Sequence, residues 1–300
     1  MVNWKKTAII LPILAGVCWG CSGGFIRVLE DAGFPNVTII GSRVITVVVL
    51  LGLIILLYDR SLFKVAPRNL PLLTLTGISG FLFLNYTYNA AIMSLSLSLA
   101  TILLCCAPIF VILFSRVLFA EKITKRRVVC MFAVLLGCVL LSGVFETGRL
   151  QWSPFGLLMG AGSALCNAVC IMSMNEASGV RRIHPLTVQF YSALIAMIPL
   201  LFLTDFSMIG SFIQEAPAFN IPFLIAHALV ASMLPNFLFN VSLRYVDAGV
   251  VAILEGGAEP ASALILGLLA YHEVPTAFGL AGILIVVAAL MTLSTEKKTS

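Results

Sequence analysis

Glu255 and Glu259 lie four residues apart in VVAILEGGAEPASALILGLLAYHE (250–273), an otherwise apolar stretch. On a helix that spacing stacks the two carboxyl groups on one face. Groups so placed can carry a proton, hold a cationic group, or accept hydrogen bonds from a neighbouring helix. At 1.5 Å per residue Glu259 stands about 16 Å from the start of a helix beginning at 248, near the middle of a bilayer. An ionised Glu there costs about 3 kcal/mol on insertion scales, so an intramembrane acid is itself a functional expectation. Two carboxylates this close in a medium of low dielectric constant are hard to ionise together. That suits a proton-coupling site or an anchor for a cationic group.

The elements that position these acids follow from composition. Of the 300 residues 60% are hydrophobic and only 10% charged, against roughly 45–50% apolar and about 25% charged in soluble domains. The mean hydropathy is +1.09. Such a chain belongs in lipid. The net charge of +5 is spread over short patches between apolar runs, which reads as loop marking and not as a nucleic-acid surface. Residues 7–26, 128–145, 150–175, 183–204, 216–243 and 274–295 contain no Asp, Glu, Lys or Arg, and 69–115 is a charge-free run long enough for two spans, with SLSLS (94–98) as the turn. A spanning helix needs about 20 apolar residues. Adding 37–57 and 248–270 gives an all-α integral membrane protein of ten expected helices: 7–29, 37–57, 70–92, 97–119, 127–145, 154–175, 186–204, 219–243, 248–270 and 276–295. Helices are required because backbone groups in lipid must pair within the segment. The first run exceeds an ordinary signal-peptide core, so it is expected to remain as helix 1.

Basic residues orient the chain. With a cytoplasmic N-terminus, fourteen of the eighteen Lys and Arg fall in inside segments: Lys5, Lys6, Arg60, Lys64, Arg68, Lys122, Lys125, Arg126, Arg127, Arg181, Arg182, Arg244, Lys297 and Lys298. Only Arg149 is clearly outside, whereas Arg27, Arg43 and Arg116 lie in or near spans. The positive-inside rule then places both termini in the cytoplasm.

An internal repeat connects the halves. NYTYNAA (85–91) matches NFLFNVS (236–242) in its two asparagines four apart. Pro108 follows Asn89 by nineteen residues and Pro260 follows Asn240 by twenty. From there PIFVILFSRVLFAEKIT (108–124) aligns without a gap to PASALILGLLAYHEVPT (260–276), sharing Pro, then Glu, then Thr. The units are 1–148 and 149–300. With five spans in each, the second half must run through the membrane inverted. Inverted repeats are a hallmark of secondary transporters, whose substrate site lies near the midplane between the repeats.

These features resemble the EamA-like branch of the drug/metabolite transporter superfamily over nearly the whole chain. The resemblance rests on CWG (18–20), Arg43 in helix 2, and the two Pro-x12-Glu-x2-Thr blocks. It implies two inverted five-helix repeats around a cavity lined mainly by helices 1, 3, 4, 6, 8 and 9. It also implies transport of small metabolites, often export of amino acids or related compounds. Family chains commonly carry Glu immediately before the ninth-helix proline. That points to a shared structural role for Glu259, as a hydrogen-bond acceptor or a partner of Arg43. The halves differ from one another: Ser163 and Ala164 stand where helix 1 has Trp19 and Gly20, and Leu103 and Ala107 where helix 9 has its acids.

Other polar residues divide between packing and binding. Asn85 and Asn89 share one helix face, as do Asn236 and Asn240. The pairs either hold helices together, at roughly 0.6 kcal/mol per bond, or face the cavity and bind an amide, carboxylate or ammonium group. Ser163 and Asn167, also four apart, have the same two readings. Trp19 is an aromatic wall for a substrate, able to hold a cation over its ring, or a packing residue. Gly256, Gly257, Ala263 and Gly267 admit close helix approach, while Pro108 and Pro260 mark matched kinks. Glu121 and Glu273 read as helix-end residues.

CWGC (18–21) has CxxC spacing but lies inside an apolar helix, as do the other cysteines, where Cys behaves as a small hydrophobe. His184, His227 and His272 are scattered and form no ligand set. With no metal site, no cofactor motif, no phosphate loop and no convergent catalytic set, the expectation is a transporter and not an enzyme or an ATP-driven pump. The sequence reading is a secondary active transporter of a small metabolite, working by alternating access in a prokaryotic plasma membrane with protons as a coupling ion. The substrate residues are expected to be Trp19, Asn85, Asn89, Ser163, Asn167, Asn236, Asn240 and Glu255, with Glu259 coupling or structural. A passive facilitator or channel is the alternative, and a non-transporting scaffold a weaker one.

Overall fold

A computed structural model describes residues 8–95, 100, 103–118, 120, 122–141, 153–271 and 276–294. Glu121, Glu273, His272, Arg149 and residues 96–98 of the SLSLS turn lie outside the described residues, as do the side chains of Asn89 and Ala263 and the surroundings of Gly267.

Every described element is helical, as a backbone without water demands. In chain order they are α1 (Leu11–Asp31), α2 (Asn36–Tyr58), α3 (Leu70–Gly77 continuing to Leu84–Ser94), α4 (Ala107–Leu118), α5 (Lys125–Leu141), α6 (Pro154–Met174), α7 (Pro185–Leu203), α8 (Phe206–Glu215), α9 (Pro217–Ala228 continuing to Leu234–Ser242), α10 (Ala248–Tyr271) and α11 (Ala277–Ser294). Among the described residues six stretches are long and apolar enough to cross a membrane: Leu11–Asp31, Asn36–Tyr58, Pro67–Tyr88, Pro154–Val180, Pro185–Leu203 and Pro217–Ser242. Ala107–Leu118 and Ala277–Leu293 are shorter apolar helices.

The structure departs from the expected spans in three ways. First, α8 occupies the segment between the expected seventh and eighth spans. Asp205 caps it, accepting hydrogen bonds from the backbone N–H of Ser207 (3.0 Å) and Met208 (3.1 Å). Its Met208, Ile209, Phe212 and Ile213 pack on Leu29, Phe34, Ile39 and Leu224. Second, the fourth span is broken. The chain turns at Cys105 and Cys106, where Cys106 N–H bonds Leu103 O (3.1 Å), and α4 starts just before Pro108. Third, helices 3 and 8 of the sequence reading contain wider π-type turns, at Ile78–Phe83 and Leu229–Met233, and helix 6 runs on past its expected end through another at Asn175–Val180. The first two fall at corresponding places when Asn85 is aligned with Asn236.

Pro260 behaves differently from Pro108, because α10 continues through it. A proline leaves the carbonyl four residues earlier without its helical donor. That carbonyl, Gly256 O, receives the Cys138 thiol of α5 at 3.9 Å. Tight packing against α1 fixes the other side of α10. A Cβ on Gly16 would lie 2.7 Å from Glu255 O and 2.8 Å from the Ala258 Cβ, so only glycine lets α1 approach so closely. Ser262 Oγ adds a hydrogen bond to Gly16 O at 3.4 Å.

Candidate functional site

The close approach of α1 to α10 carries Glu255 and Glu259 to the wall of a cavity of about 240 Å³. Around it stand Trp19, Ser22 and Ile26 of α1, Arg43 of α2, and Gly80, Phe81, Leu84, Asn85 and Tyr88 of α3. The wall is completed by Leu104, by Asn167, Cys170, Ile171 and Met174 of α6, by Ala231, Ser232, Asn236 and Phe239 of α9, and by the two acids of α10. It is apolar with a few convergent polar groups, the usual composition of a small-molecule site.

The two acids stand one helical turn apart on the cavity wall, and Glu255 is 7% exposed. The pairing of Glu259 with Arg43 that the family resemblance allowed is not formed: both line the cavity, but no ion pair joins them. Trp19 lies against Phe239 with ring centroids 5.9 Å apart, and Ser22 Oγ donates to Trp19 O at 2.6 Å.

Asn85 and Asn236 have the same local role. Asn85 Nδ2 donates to Phe81 O at 2.9 Å, and Asn236 Nδ2 donates to Ser232 O at 2.8 Å. Phe81 and Ser232 belong to the two corresponding π turns, whose carbonyls lack regular helical partners. Gln189 of α7 adds donors to Ser232 O (3.2 Å) and Met233 O (2.9 Å). With each amide NH₂ held by its own helix, the Oδ1 acceptor is what an Asn can offer to a ligand.

The remaining expected residues separate. Asn167 lines the cavity. Asn240 does not: it is fully buried, accepts from Ser178 Oγ at 2.8 Å and donates to Asn236 O at 2.9 Å, joining α9 to the π turn after α6. Ser163 is likewise fully buried and donates to Gly160 O at 2.7 Å. Both were expected among the substrate residues, but each stands one helical turn from a cavity residue, Asn236 and Asn167 respectively, where the neighbouring helices are already packed together. Sequence reasoning gave no cavity role to Arg43, Ser22, Tyr88 or Ser232. It also gave no role to His227, which is buried on α9 with its ring stacked on Phe25 at 5.7 Å. A single histidine within the charge-free run 216–243 was the available signal.

Apolar helices of spanning length around a cavity with polar groups from both halves of the chain define an integral membrane transporter. Within that class the chain belongs to the EamA-like transporter family, which matches it twice, over residues 6–143 and 154–295. It is similar to the protein named Pseudopaline exporter CntI of Pseudomonas aeruginosa, 26% identical over 302 residues and 99% of each chain. It is also similar to an uncharacterized transporter of Archaeoglobus fulgidus, 27% identical over 224 residues, covering 73% of this chain and 75% of that one. A protein of known crystal structure shares the fold with a TM-score of 0.74 at 17% identity, over 95% of this chain and 96% of the other.

Proposed function

We propose that this protein is a secondary active transporter that exports a small amphipathic metabolite, an amino acid or related compound, by alternating access. Ten spans form two inverted five-helix repeats, 1–148 and 149–300, in a prokaryotic plasma membrane with both termini in the cytoplasm. The observation that carries the reading is one cavity lined by polar groups from both halves, with the acid pair of α10 on its wall. The corresponding π turns of α3 and α9 support the repeat, since such turns concentrate at functional sites. Export follows the name of the Pseudomonas relative.

The acid pair offers a simple coupling device. A proton shared by Glu255 and Glu259 and a substrate ammonium would compete for the same carboxylates. Release of one then accompanies binding of the other, and proton entry drives substrate exit. The test is flux in proteoliposomes loaded with a mixed pool of labelled amino acids, with and without an imposed pH gradient. Wild type should accumulate one or more solutes against their gradient, whereas Glu255→Gln should retain exchange and lose the drive. Loss of a charge-assisted hydrogen bond is worth about 1.5–3 kcal/mol, so accumulation should fall by roughly tenfold or more. Flux that neither saturates nor exchanges would mark a passive facilitator, and no flux of any pool member would refute the amino-acid reading.

A further inference from the structure

The acids occupy one wall of the cavity, and α2 presents Arg43 on another. The Arg43 Nε is buried without a hydrogen-bond partner. No carboxylate among the described residues forms an ion pair with it. His227 lies within electrostatic reach, is 0% exposed, and has neither ring nitrogen bonded. Burying an unpaired cation is costly. A membrane-embedded Arg that faces a cavity marks a substrate or ion path. The planar guanidinium binds a carboxylate through two parallel N–H donors, a geometry a point charge cannot reproduce.

We propose that Arg43 is the anchor for a substrate carboxylate, so that the cavity selects a zwitterionic compound with its carboxylate on α2 and its ammonium on the acid pair of α10. This rests on reading the cavity as the substrate site, and it names the residue that decides which charges a substrate must carry. Trp19 and Phe239, which line the same cavity, supply apolar surface for the body of the substrate. A carboxylate seated on Arg43 also supplies a counter-charge that no described side chain gives it. A compound lacking either charge loses one of two anchors.

Three probes of one shape separate the charges: L-phenylalanine, phenethylamine without the carboxylate, and 3-phenylpropionate without the amine. Ligand-induced thermal stabilisation of the purified protein gives an apparent Kd for each, with the ligand-free melting temperature of each variant as the folding control. Arg43→Gln should weaken L-phenylalanine and 3-phenylpropionate by about tenfold or more, as expected for a charge-assisted bond, and leave phenethylamine within about threefold. Arg43→Lys keeps the charge without the fork, so it should fold as wild type and fall between. Equal weakening of all three probes, no effect of either variant, or no response of wild type to either carboxylate would overturn the assignment. Amino-acid flux in wild type is read separately. A carrier whose flux survives Arg43→Gln refutes only the anchor, and a wild type without flux refutes the transport reading itself.

Discussion

Asn85 on α3 and Asn236 on α9 each give an amide N–H to the carbonyl four residues earlier, at corresponding π turns. Glu255 and Glu259 on α10 instead stand where the first half has Leu103 and Ala107. The contrast separates two kinds of constraint. A π turn in an apolar medium leaves carbonyls that must be satisfied wherever it occurs, so each half keeps its own asparagine. One acid pair is enough to hold a proton or a cation, and a second would repeat the cost of burying charge. On the proposed repeat, framework is duplicated while charge chemistry is not. Gly16 and Gly160 extend the comparison. Gly16 packs on the backbone of α10 at Glu255, whereas a Cβ on Gly160 would meet the side chain of Leu103.

The largest effect should come from a contact joining the halves that has no charged mirror. Arg127 of α5 and Asp247 before α10 form a buried ion pair, with side chains 3% and 5% exposed, and the aligned positions Gly279 and Leu95 carry no charge. Arg127→Gln should destabilise by about 3–5 kcal/mol, the cost of leaving a buried charge unpaired. Thermal unfolding in detergent measures it, and a loss no greater than that of an exposed Arg→Gln control would show the pair to be dispensable. Next, Gly16→Ala should cost about 1–3 kcal/mol by overpacking. Gly160→Ala should cost less, since the Leu103 side chain can rotate away where a backbone carbonyl cannot. Equal losses would break the distinction between the two helix contacts.

A smaller and matched effect is expected at the asparagines. Asn85→Ala and Asn236→Ala should each cost about 1 kcal/mol, the net value of one hydrogen bond, and unequal melting temperatures would count against equivalent roles. The smallest effect concerns His184, outside the spans. Its Nδ1 accepts from Leu186 N–H at 3.3 Å to cap α7. Burial first, and then Arg244, hold its imidazole below the usual histidine range, against a smaller opposing pull from Asp59. Because the unfolded chain binds that proton more readily, stability is full above the ordinary histidine value and declines as pH falls through it. Melting temperatures at pH 7.5 and 5.5 should show this slope, and His184→Asn, which keeps a side-chain acceptor, should flatten it.

Most helices were legible from charge-free runs, because lipid forces any long apolar segment to be helical. Marker residues spaced alike in both halves suggested the repeat, and two acids in an apolar run identified the helix that now forms a wall of the cavity. Tertiary structure decided the rest. Spacing placed Asn236 and Asn240 on one face, but only packing showed the first at the cavity and the second tied to Ser178. It also left Arg43 without the partner the sequence offered, broke the fourth span before Pro108, and inserted α8. In a soluble helix an apolar stripe announces which side is inside. A membrane helix is apolar all round, and lipid tails resemble its core, so the sequence set the helices and their chemistry while packing alone chose which residues meet.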